Sequence, residues 1–94
     1  MSTTALVLGV AAAREFLAQL GDYDEIVVLD SDVAALEALV AELADPRLDY
    51  MLGGLPVLPL PDASVDMLVG ADASDPEVMR VIRTGGRVLP TLSA

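Results

Sequence analysis

The stretch from Ala5 to Glu15, ALVLGVAAARE, decides how the chain begins to fold. Ala5-Leu-Val-Leu8 is a short, uninterrupted apolar run, the pattern of a strand buried on both faces in a parallel sheet. Gly9 follows. From there the apolar positions Val10, Ala13, Phe16 or Leu17, and Leu20 recur at helical spacing. A strand that passes through one glycine straight into a helix opens a βα unit. Gly21 is expected to stop that helix in the C′ role.

The same alternation continues outward. Asp22–Asp24 is a polar turn, and Glu25-Ile-Val-Val-Leu-Asp30 is a β-branched run that ends in an acid. Ser31 is expected as the next N-cap, with Asp32 in the first turn where the helix dipole favours negative charge. The second helix is expected to bury Val33, Leu36, Val40 and Leu43 and to keep Glu37 and Glu42 wet, ending at Asp45-Pro46. Between Arg47 and Pro61 the prolines at 56, 59 and 61 leave room for one short edge strand near Leu55–Leu58. Pro61–Ser64 reads as a turn and Val65–Val69 as a buried strand. Ser74 to Glu77 has capping-box spacing with a proline in the first turn. The helix it starts carries Val78, Val81 and Ile82 to a C-cap at Gly85-Gly86, and Arg87–Pro90 is the last strand. The order βαβα(β)βαβ implies a parallel sheet with right-handed crossovers.

Composition bounds the rest. Ninety-four residues suit one domain, residues 1–94. Fifteen acids against five arginines, with no lysine, give a net charge of −10. Such a surface repels phosphate backbones, arguing against nucleic acid as a partner, and it suits a basic one. Cysteine is absent, which excludes disulfides and thiol chemistry, and the lack of histidine argues against zinc; no metal is expected. No charged leader precedes a long apolar run, and no apolar segment reaches the roughly 20 residues that span a bilayer. A cytoplasmic location with no membrane contact is expected. The missing lysine beside abundant Ala, Val, Asp and Arg suits a GC-rich genome, that of a bacterium or its phage.

Four segments together resemble the class I S-adenosylmethionine-dependent methyltransferases. ALVLGVAAARE stands where that family has a V-L-D-x-G-x-G-x-G loop after its first strand. EIVVLDSDVAAL is similar to the second strand, whose terminal acid binds the cofactor ribose. LPLPDASVDMLV resembles L-P-F-P-D-x-S-F-D-x-V at the fourth strand, and VMRVIRTGGRVL resembles R-V-L-R-P-G-G-R-L-x before the fifth. The resemblance implies a minimal Rossmann-like three-layer α/β sandwich with about five mostly parallel strands in the order 3-2-1-4-5. It implies Asp30 as the ribose acid and Gly9 as the first glycine of the cofactor loop.

The family's second and third loop glycines fall on Ala11 and Ala13, its loop acid on Val7, and its adenine-contacting acid on Gly54. Glycine there allows positive φ and close backbone approach to a ligand, which alanine restricts. Asp72, just beyond the fourth strand, lies at the carboxyl edge where such sheets bind ligands, and is the one candidate catalytic carboxylate. Methyl transfer can proceed by positioning alone; any base would have to be a carboxylate or one of the two tyrosines. The link from the fourth strand to RVIRTGG is shorter than the family uses for its acceptor site, and the two strands that cover the fifth are missing. The expectation is therefore a degenerate, non-enzymatic member with no cofactor. It would act through a protein partner or in regulation, as a homodimer that covers its bare edge or an apolar helix face. The alternative is an S-adenosylmethionine-binding methyltransferase completed by a second subunit or partner. A third reading is another nucleotide held by Gly9 and Asp30.

Overall fold

The computed structural model describes residues 3–43, 45–53, 57–72 and 74–89. Five strands form one sheet: β1 (Thr4–Leu8), β2 (Glu25–Asp30), β3 (Leu48–Leu52), β4 (Val65–Val69) and β5 (Ile82–Leu89). The helices are α1 (Val10–Phe16), α2 (Val33–Leu43) and α3 (Pro76–Val81). The strand order is β3-β2-β1-β4-β5, and every pairing is parallel. The expected order 3-2-1-4-5 and the α/β class are thus as the sequence implied.

Alternate residues of the central strands feed two cores, because successive side chains point to opposite faces. Ala5, Val7, Ile26, Val28, Met67 and Val69 pack with Ala13, Phe16 and Leu20, and with Leu36 and Leu39 of α2. Leu6, Val27, Leu29 and Leu68 face the other way, toward Leu58 and toward Val78 and Val81 of α3. Full burial of each such Leu or Val side chain contributes about 1.5–3 kcal/mol. Both faces of the sheet are therefore occupied, which is why the central strands β1 and β2 carry unbroken apolar runs.

Several local expectations are corrected. The third strand is Leu48–Leu52, not near Leu55–Leu58; Leu55 and Pro56 lie outside the described residues. After α2 the chain turns at once through Asp45–Arg47, and Ile26 N–H reaches the Arg47 carbonyl at 2.9 Å, which starts the β2–β3 pairing directly. Leu58 instead plugs the second core at 2% exposure. Gly21 is right-handed (φ −62°), since α1 ends through a 3-10 turn, Leu17–Leu20, that needs no left-handed residue. On α2 the buried positions are Leu36 and Leu39, while Val33 and Val40 are 48% and 43% exposed.

The cap assignments also shift by one residue. Asp32, not Ser31, caps α2: its carboxylate accepts the Ala35 N–H at 3.2 Å and its carbonyl the Leu36 N–H at 3.1 Å. Asp75, not Ser74, caps α3 and accepts the Glu77 N–H at 2.9 Å, with Pro76 opening the helix. In both places an upstream acid takes the backbone N–H two residues on (Asp30 that of Asp32, Asp72 that of Ser74), so the helix begins one step later. Finally, α3 ends at Val81 and Gly85-Gly86 is no helix cap. Ile82 pairs with Val65 and Arg87 with Met67, so Arg83–Gly86 bulge out of β5 opposite the single residue Asp66. A Cβ on Gly86 would lie 2.8 Å from the Arg83 carbonyl oxygen and 2.9 Å from that of Asp66, so only glycine fits there.

Candidate functional site

Ligands of open parallel sheets sit at the carboxyl ends of the strands, where the chain order reverses. Here that place lies between β1 and β4, beside the end of β2. Three glycines close it: Gly9 after β1, Gly53 after β3 and Gly70 after β4, with φ of +102°, +151° and +101°. Each donates its N–H to the end of a neighbouring strand, to Leu29 O (2.7 Å), Asp30 O (3.2 Å) and Leu89 O (2.8 Å) respectively. The positive φ turns each strand end aside while keeping its last N–H bonded. No atom lies within 4 Å of where a Gly9 Cβ would stand, so the space above that residue is open. Gly70 is the opposite case, with its Cβ position 2.6 Å from the Leu8 carbonyl oxygen.

Asp30 ends β2 beside this opening. One carboxylate oxygen accepts the Val10 N–H and the other the Asp32 N–H, both at 3.0 Å. These bonds, the one from Val10 foremost, hold its pKa below the ordinary aspartate range, against a smaller effect of burial. A carboxylate has acceptor room for about four hydrogen bonds, so capacity remains on both oxygens. Asp72 lies exposed past Gly70, and its Oδ1 takes the Ser74 N–H at 2.9 Å, which also lowers its pKa. A group already stabilised as the anion is a poor general base near neutrality.

The remaining expected positions lead elsewhere. Val7 and Ala13 are both fully buried in the first core, and Ala11 is exposed on α1. Ala13 therefore lets α1 pack closely on the sheet and does not crowd the opening. Gly54 is outside the described residues. Measured against S-adenosylmethionine, the described residues do not make a complete site. They offer one carboxylate and one open glycine, with an apolar core residue where the loop acid would be. Among the described residues no three acids are placed to hold a metal, and no helix is long and apolar enough to cross a membrane. An open groove of about 420 Å³ lies at the other end of the sheet, between Met79, Ile82, Arg83 and Val88, away from Asp30.

One arrangement was not foreseen. Arg80 of α3 uses all five guanidinium N–H groups. Nε and one Nη2 proton bond the two Glu77 oxygens at 2.8 and 2.9 Å, and the others reach Leu58 O, Leu60 O and Asp62 Oδ1 at 2.7–2.8 Å. Glu77 also accepts the Leu58 N–H at 2.8 Å. Arginine's bidentate hold depresses Glu77 to a pKa of about 2. The segments LPLPD and VMRVIR are thus joined at one side chain. An arginine spaced one turn after a helix's first acid was the only sequence signal for it.

No protein-family model and no curated protein matches the chain; solved structures do. A chain of the complex between the Haloferax volcanii Trm112 methyltransferase activator and its assigned methyltransferase superposes with a TM-score of 0.75 at 23% identity, over 90% of this chain and 42% of that one. The Bacillus subtilis YcgJ protein gives 0.73 at 25% identity, over 94% and 43%. A SAM-dependent methyltransferase from Aquifex aeolicus gives 0.64 at 23%, over 86% and 51%. The chain spans about half the length of these structures or less. The sheet order, the strand-end glycines and these superpositions give one conclusion: the chain has the fold of the class I S-adenosylmethionine-dependent methyltransferases.

Proposed function

We propose that residues 1–94 form a single non-catalytic domain of methyltransferase fold that works by binding other protein, as a homodimer or with a partner. The observation that carries this reading is Val7, an apolar residue buried in the first core at the loop-acid position, where it offers a ligand no polar contact. Asp30 is left as the carboxylate beside the opening, and its two oxygens already tie the start of α1 and the turn into α2 to β2. Among the described residues β5 pairs only with β4, and an unpaired parallel edge presents backbone donors and acceptors to another strand.

A second reading has its own support. Gly9 keeps a positive φ under open space, Asp30 retains acceptor capacity, and a solved protein of this fold is described as SAM-dependent. In that reading Gly9 and Asp30 hold S-adenosylmethionine and a second subunit completes the acceptor site; the Haloferax structure is a complex with a methyltransferase activator.

Thermal unfolding with S-adenosylmethionine or S-adenosylhomocysteine separates the two. A ligand at 100 times its Kd stabilises by about 2.7 kcal/mol, a shift of several degrees. The proposal expects no shift at millimolar ligand. A shift that Asp30→Ala abolishes overturns it. Light scattering after gel filtration tests the homodimer, and a monomer at all concentrations removes it.

A further inference from the structure

The sheet ends on two strands, β3 and β5, and their outer edges differ. β3 follows β2 without a break from Leu48 to Leu52, opposite Ile26 to Asp30, and among the described residues it pairs with no other strand. On β5 only Arg87–Leu89 keep a regular register after the bulge, and Arg87 is charged and exposed. Bulges and charges are devices that keep a free edge from pairing with another strand. β3 has no bulge and no proline, and its single charge is Asp49.

The backbone bonds at the two ends of β3 fix which of its residues face outward. The Arg47 carbonyl takes the Ile26 N–H at 2.9 Å, and the Gly53 N–H reaches the Asp30 carbonyl at 3.2 Å. Alternate residues of a strand turn their N–H and C=O to opposite sides, so Arg47, Asp49, Met51 and Gly53 face β2. Tyr50 and Leu52 therefore present both groups outward. Leu48 presents only its carbonyl, because its N–H is bonded to Asp45 O at 3.1 Å.

This outward pattern is complementary to itself. Two copies of Leu48-Asp-Tyr-Met-Leu52 laid antiparallel about a two-fold axis at Tyr50 set Tyr50 against Tyr50 and Leu48 against Leu52. The tyrosines exchange N–H and C=O, and each Leu52 N–H meets the Leu48 carbonyl of the other copy. The Leu52 side chain, 58% exposed in the single chain, is covered by that same Leu48 on its own face of the sheet. Each Asp49 lies opposite a Met51, so no like charges are directly paired, and Asp45 at the foot of the strand is bound to Arg47 at 2.8 Å. We propose that the β3 edge is where two copies of this chain join, so that two five-stranded sheets become one. This names the interface of the homodimer read above and rests on it.

The chain has no cysteine, so a single introduced one reports which edges meet. Residues on the axis of such a pair have Cα atoms about 5.5 Å apart, within reach of a disulfide. Tyr50→Cys is expected to cross-link two copies under mild oxidation. On β5 the Leu89 carbonyl faces β4, which leaves Val88 as the outward residue, and Val88→Cys is expected not to cross-link. Sedimentation equilibrium of the whole chain at near-physiological salt gives the dimer Kd. Leu52→Glu alters an exposed side chain and is expected to raise that Kd about tenfold or more. Gln19→Glu adds the same charge on the 3-10 turn, where the residue is exposed, and is expected to leave the Kd unchanged. Circular dichroism melting confirms that each variant is folded. A dimer that withstands Leu52→Glu, or that cross-links through Val88→Cys and not through Tyr50→Cys, keeps the homodimer and overturns the β3 edge. A chain that stays monomeric at all concentrations overturns the edge and the homodimer together.

Discussion

The Asp30 carboxylate accepts the Val10 N–H at 3.0 Å, so the acid that ends β2 anchors the first residue of α1. Its other oxygen holds the Asp32 N–H, and a single side chain thereby fixes both turns on the carboxyl side of β1 and β2. Asp30→Ala removes both acceptors and leaves two backbone donors to find water. The group is partly exposed, so the expected cost is about 1–2 kcal/mol, at the low end for hydrogen bonds to charged groups. Urea unfolding at neutral pH measures it. The folded pKa lies below the unfolded one, so this contribution is full above the unfolded value of about 3.9 and fades as pH falls through the folded value. The difference between Asp30→Ala and the parent chain should accordingly shrink in acid.

Arg80 and Glu77 predict a second acid effect with a different signature. Glu77 is ionised down to a pH of about 2 in the folded chain, against about 4.3 when unfolded. Its contribution is complete above about 4.3 and is lost as pH drops from there to about 2. Glu77→Gln keeps an acceptor for the Leu58 N–H but lacks the charge. It should be less stable at neutral pH and lose less on acidification than the parent chain. Arg80→Met should lower the melting temperature more than Glu77→Gln, because it also removes the side-chain donor to Leu60 O and one of the two donors to Leu58 O, which keeps the Leu60 N–H. Paired melts across the acid range check both statements; equal slopes for parent and Glu77→Gln contradict the linkage.

The glycines divide into two kinds. Gly9→Ala meets no neighbouring atom and carries only the strain of φ +102°, about 1–3 kcal/mol. Gly70→Ala adds to a similar strain a Cβ only 2.6 Å from the Leu8 carbonyl oxygen, so the β1 and β4 ends must move apart. The urea midpoint should fall further for Gly70→Ala than for Gly9→Ala. The reverse order would show that the space above Gly9 is filled in solution.

What the sequence disclosed follows from how local each determinant is. β2 and β4 match their expected bounds residue for residue, β2 because Ile26–Leu29 is an unbroken apolar run between two acids, and β4 because Val65-Asp-Met-Leu-Val69 is apolar at four of five positions after a polar turn. β3 was misplaced because Leu48-Asp-Tyr-Met-Leu52 is an edge strand with only one buried residue, and its apolar signal is weaker than the proline-interrupted run after it. The caps moved because the side chains of Asp30 and Asp72 compete for backbone N–H groups two residues on, an effect of loop geometry that cap preferences do not include. Gly9 and Asp30 were legible as neighbours at the carboxyl edge. That Asp30 bonds Val10, twenty residues away, depends on β1 and β2 lying side by side and could not be read from either segment.

The α2 face yields the last prediction. Sequence spacing alone would bury Val33 and Val40, but the helix is rotated so that Leu36 and Leu39 enter the core. The larger leucines fill the space above Val28 and Ile26, and the valines are left at the rim. Leu39→Ala should therefore cost about 2–5 kcal/mol, the loss of a fully buried leucine with its cavity. Val40→Ala, one residue on, should stay within about 0.5 kcal/mol of the parent chain, since it trades an exposed valine for a better helix former. Urea midpoints of the two variants decide between the rotations. A large loss from Val40→Ala with a small one from Leu39→Ala would mean that α2 presents its other face to the sheet.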